Sequence, residues 1–91
     1  MKNLQAYIDQ QNTWRGFFNT APINFPLSQV QVNDIANRLD ADLSPENLHC
    51  DGEISQAEAQ RKYNYYGRVI KELDRYCAGQ GLTMPTIYEY Y

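Results

Sequence analysis

The chain has 91 residues, 43% hydrophobic and 13% aromatic, with eight tyrosines and a formal net charge of −3. That length sets one domain of modest stability. The mild acidity, three basic and five acidic residues over 1–50 and five and six over 51–91, argues against a nucleic-acid-binding arm.

No apolar run approaches the roughly 20 residues needed to span a bilayer. The opening Met1-Lys2-Asn3-Leu4-Gln5 lacks the apolar centre of a signal peptide. The expectation is a cytoplasmic protein away from the membrane, with Cys50 and Cys77 reduced; a Cys50–Cys77 disulfide is the alternative. With so many tyrosines the aliphatic core is small, and tyrosine rings must supply buried area while their hydroxyls find water or a partner.

Residues 4–18 read as a first helix, because Leu4, Tyr7, Ile8, Gln11, Trp14 and Phe18 follow helical spacing. Asn3 is the expected N-cap. Trp14, Phe17 and Phe18 are the densest aromatic cluster, and two readings stay open: a core anchor, or an exposed interaction patch. Residues 19–27 carry Pro22 and Pro26, so they read as an extended connector. Within it Ile23, Phe25 and Leu27 alternate, as in a strand-like strap across the core.

A second helix is expected over 29–42. Ser28 with Gln31 makes a capping box, and Leu27 with Val32 the matching hydrophobic staple. Val32, Ile35, Ala36 and Leu39 form its apolar stripe. Residues 43–54 follow as a loop, in which Ser44-Pro45-Glu46-Asn47 reads as a short helical turn capped by Ser44.

The third and longest helix is placed at 56–78. Asp51-Gly52 is turn chemistry, and Ser55 with Glu58 is another capping box. Ala59, Tyr63, Tyr66, Ile70, Leu73 and Cys77 fall on one stripe; Arg61, Asn64, Arg68, Lys71 and Arg75 fall on roughly the opposite side. Gly79 is the expected C′ residue. A helix of this length needs two segments packed along it. The tail from Leu82 to Tyr91 lacks a helical period; it either docks beside Tyr65, Val69 and Tyr76 or stays disordered.

One stretch carries a chemical motif. With Asn47 as first position, Asp51 stands fifth, Gly52 sixth, Ile54 eighth, Ser55 ninth and Glu58 twelfth. The second half of this stretch resembles the calcium loop of the EF-hand family: a carboxylate ligand, a glycine at the bend, an apolar anchor and a glutamate on the exiting helix. The resemblance implies calcium on Asn47, Asp51, Glu53 and Glu58. It departs from the family at Asn47, where aspartate is usual, and at Pro45, in what would be the incoming helix. A turn followed by a capping box accounts for the same residues with no cofactor. Ser44-Pro45-Glu46-Asn47-Leu48-His49-Cys50-Asp51-Gly52-Glu53 also resembles a stretch of small bacterial and phage proteins of the Ser-Pro-Glu-Asn-Leu-x-Cys-Asp-Gly-Glu type, which implies a bacterial or phage origin and brings no activity with it.

Catalysis has little support. His49 and Cys50 are neighbours in a loop, which does not provide nucleophile–base geometry, and a zinc site from His49, Cys50, Asp51 and Cys77 lacks a C-x-x-C pair. The row Arg61, Arg68, Lys71, Arg75 reads as a solvated face or as a contact for phosphate or an acidic partner. The expectation is therefore an all-α, three-helix domain with a long C-terminal helix. Its expected role is non-enzymatic: contact with a protein partner or with itself through Trp14, Phe17, Tyr65, Tyr76 and Tyr88.

Overall fold

The computed structural model describes residues 2–17, 21–44, 56–88 and 90, the side chain of Phe17 excepted. Among the described residues there are three helices and no strand: α1 (Lys2–Phe17), α2 (Gln29–Leu43) and α3 (Gln56–Gln80). The fold is all-α. At 25 residues α3 is the axis, and α1 and α2 both pack along it. Leu4, Tyr7 and Ile8 from α1 and Val32, Ile35, Leu39 and Leu43 from α2 meet Val69, Leu73 and Cys77 of α3 in one buried cluster. A single apolar stripe on each shorter helix suffices because α3 presents a broad one.

The start of α1 differs from the sequence expectation. The helix begins at Lys2, so Asn3 lies inside it and is not its N-cap. Instead the backbone N–H groups of Asn3 and Leu4 donate to Oε1 of Glu72, on α3, at 3.0 and 3.3 Å. The unpaired donors of a helix start accept any well-placed acceptor, and here a carboxylate comes from 69 residues away. Burial raises the Glu72 pKa, but hydrogen bonds from Asn3 and from the backbone of Leu4 outweigh it and hold the carboxyl below its ordinary value. This contribution is full above the ordinary carboxylate pKa and is lost as the pH falls through the lowered one. Glu72→Ala is expected to cost about 0.5–2 kcal/mol. Amide exchange should quicken at Asn3 and Leu4; exchange unchanged there would refute the capping role.

The start of α2 follows its sequence. Gln31 N–H donates to Ser28 Oγ at 3.2 Å and Ser28 N–H to Gln31 Oε1 at 3.1 Å, which completes the capping box. At its other end Ser44 is a C-cap, its N–H bonded to Ala41 C=O at 3.2 Å. The expected turn after it lies outside the described residues, as does Ser55. The end of α3 falls two residues beyond the expected one. The C′ residue is Gly81, with φ +68°, and not Gly79. Leu82 N–H reaches back to Cys77 C=O at 2.9 Å, the long bond of a Schellman motif. Ending there lets Leu82 pack on the core.

The connector does not keep the expected alternation. Ile23 and Leu27 are buried, but Phe25 is 37% exposed, because the chain bends at Phe25 and Pro26. The Phe25–Pro26 peptide bond is cis. Side chains hold this segment in place. Asn12 of α1 accepts from Ile23 N–H at 2.7 Å and donates to Ile23 C=O at 2.8 Å. Tyr76 of α3 accepts from Leu27 N–H at 2.8 Å. Polar bridges also join the two shorter helices: the Tyr7 hydroxyl donates to Asp42 Oδ2 at 2.6 Å, and Arg15 pairs with Asp34.

Candidate interaction surface

The tail docks. Gln29, at the start of α2, holds Thr83 by both backbone groups: its Nε2 donates to Thr83 C=O, and Thr83 N–H donates to its Oε1, each at 2.8 Å. Ile87 is buried, and the Tyr90 ring stacks on Tyr63 with centroids 5.3 Å apart and planes at 22°. Tyr90 sits over Gly67, a buried glycine within α3. A glycine there costs about 1 kcal/mol of helix propensity against alanine, and the seat it makes for Tyr90 explains it.

A Cβ at Gly67 would lie 2.8 Å from Tyr90 Oη and 3.0 Å from its Cε1. Gly67→Ala is therefore expected to push Tyr90 off the helix. The helix gains about 1 kcal/mol and the lost ring pair costs about 0.5–1.5 kcal/mol, so the melting temperature should barely move. Amide exchange over residues 84–90 should rise instead. Unchanged exchange would show that Gly67 is not the seat.

The candidate contact residues are in very different places. Trp14, on α1, is 57% exposed, so the core-anchor reading does not hold for it. Tyr7 and Ile8, two turns back, fill the α1–α3 contact and leave Trp14 beyond it. Tyr88 is 73% exposed. Tyr65 is half-buried and lies against Tyr66, ring centroids 5.5 Å apart; burial first, then the Glu72 charge, pushes its phenol up.

Tyr76 is a correction. It is 8% exposed, its hydroxyl holds Leu27, and its ring meets Phe25 edge-on at 5.3 Å, so it is a core residue and presents no surface to a partner. The side chains of Phe17 and Phe18 lie outside the described residues. No ring contact joins Trp14, Tyr65 and Tyr88 to one another.

Val30 was not singled out in the sequence, yet it is 77% exposed. It lines an open cleft of about 480 Å³ between the end of α1, the connector and the outer face of α2, with Arg15, Pro22, Ile23, Asp34 and Asn37. The Arg15–Asp34 pair stands in this cleft, and Arg15 Nη1 also donates to Ala21 C=O at 3.2 Å. The sequence held no signal for the cleft beyond Val30 standing off the apolar stripe of α2.

Of the implied calcium ligands, Asn47, Asp51 and Glu53 lie outside the described residues; Glu58 is exposed in the first turn of α3. His49 and Cys50 are likewise outside. Cys77 is a free, buried thiol, which burial and then Asp74 keep protonated. Among the described residues no three His, Cys, Asp or Glu side chains gather as metal ligands, and no helix is long and apolar enough to cross a membrane. Comparisons with protein-family models, with curated proteins and with solved structures gave no match.

Proposed function

We propose that this chain is a non-enzymatic protein-interaction module of the cytoplasm, with Trp14 as its principal contact residue. The supporting observation is that the single tryptophan stands 57% exposed on a helix whose described Leu4, Tyr7 and Ile8 are buried. Tryptophan is costly to leave in water and is over-represented among the residues that dominate binding energy. Val30, in the cleft lined by Arg15, is a second exposed apolar side chain. The free thiol of Cys77 accords with a reducing compartment.

The test places a photo-crosslinking side chain at position 14, with exposed Asn24 as the control position. A dominant adduct from position 14 that is absent from position 24 supports the reading, and its mass separates a second copy of this chain from another protein. Equal adducts from both positions, or none from position 14, would overturn it.

A further inference from the structure

The face of α3 that points away from the core carries Arg61, Arg68, Lys71 and Arg75, all exposed. Three of these are arginines at seven-residue spacing. An α-helix rises about 10 Å in seven residues and drifts only about 20° per such step. The three guanidinium groups therefore start from one nearly straight row along the helix, roughly 21 Å long, with Lys71 on its flank. Asn64 lies between them and is engaged by Gln60 at 2.9 Å.

None of the four cations forms an ion pair with a described residue. Glu72, next to the row by helical register, is turned to the start of α1, where it accepts from Asn3 and Leu4. One neighbouring carboxylate is thus engaged elsewhere, while Asp74 stays exposed beside the Lys71–Arg75 end of the row. Tyr90 sits on Tyr63 and Gly67, and Gly67 is four residues from Lys71, so the described tail lies on the Lys71 flank and beside the three arginines.

We infer that this row is a docking surface for an acidic amphipathic helix of a partner protein, one with Glu or Asp at seven-residue spacing. Two helices side by side repeat their facing positions every seven residues, which is how charged flanking positions set partner choice in coiled coils. A nucleic-acid strand carries a phosphate about every 3.4 Å of axis, on a line that winds around the duplex, so a straight row at a repeat of about 10 Å fits it poorly. The net charge of −3 also opposes a long polyanion. A second copy of this chain is a poor occupant as well: in its described helices Asp34 is paired to Arg15 and Asp42 to Arg38, and no two acids of α1 or α2 stand seven apart.

The experiment titrates the labelled protein with three probes and follows its amide spectrum. The probes are a helical peptide with three glutamates at seven-residue spacing, the same peptide with glutamines, and a duplex oligonucleotide. The glutamate peptide is expected to shift amides over 61–75, at least tenfold more tightly than the glutamine peptide. Raising the salt from about 50 to about 200 mM should weaken it several-fold, as for exposed charge pairs. Arg68→Gln with Arg75→Gln should weaken it at least tenfold with the melting temperature unchanged, whereas Trp14→Ala should leave it intact. Equal binding of both peptides, tighter binding of the oligonucleotide, or no shift with the glutamate peptide at millimolar concentration would each overturn the inference. Because Trp14 is not part of the row, failure here and failure of the Trp14 reading are separate results.

Discussion

Leu73→Ala is expected to lower the unfolding free energy by about 2–5 kcal/mol. Leu73 is fully buried in the middle of α3 and belongs to the one cluster that joins all three helices. Its truncation removes transfer free energy and leaves a cavity, and the surrounding side chains come from two different helices that cannot both close on it. A small domain holds only about 5–15 kcal/mol in total, so the loss is a large share. The melting temperature should fall by roughly 10 °C or more. Arg75→Ala, on the outer face of the same helix, should stay within about 0.5 kcal/mol. Urea midpoints for both variants check this; a Leu73 effect as small as that of Arg75 would mean that α1 and α2 do not share a core through α3.

The second large effect is at high pH. Tyr7 is buried, and its hydroxyl donates to Asp42 Oδ2 at 2.6 Å, while Asp42 Oδ1 lies 3.3 Å from Arg38. Burial first, then the hydrogen bond and the charge of Asp42, pushes the phenol far above its ordinary value. The phenol of the unfolded chain ionises near pH 10, whereas the folded one stays protonated. Its contribution is therefore full below about pH 10 and is lost above it, at about 1.4 kcal/mol per pH unit. Urea unfolding from about pH 9 to about pH 11 should show this slope, and Tyr7→Phe should remove it. An identical pH slope in both proteins would refute the buried Tyr7–Asp42 pair. At neutral pH Asp42→Ala should cost about 1–3 kcal/mol, because it leaves the hydroxyl of Tyr7 buried without its acceptor.

Sequence patterns proved legible wherever the cause of structure was local. The stripe at Val32, Ile35, Ala36 and Leu39 and the Ser28–Gln31 capping box placed α2 to within a residue, because both depend on neighbours three or four positions away. The seven-residue spacing of Arg61, Arg68 and Arg75 was equally visible, as was the division of α3 into an apolar and a basic side. Single glycines and single aromatics were harder to read. Gly79 and Gly81 are equally able to end a helix, and the packing of Leu82 selected the second. Trp14 and Tyr76 are both large aromatics at helical spacing; one faces solvent and the other holds the connector.

Local patterning specifies that the chain forms helices, roughly where they run, and which side of each is apolar. These follow from periodicity, caps and prolines, whose free energies act within a few residues. What closes the start of α1 and the end of α3 and holds the irregular segments is set by long-range packing. Glu72 caps α1 from 69 positions away, Asn12 and Gln29 hold the backbones of Ile23 and Thr83, and Gly67 seats Tyr90. Each of these contacts satisfies a polar group or fills a space that exists only once two elements have met, so its energy cannot be assigned to any local stretch of sequence.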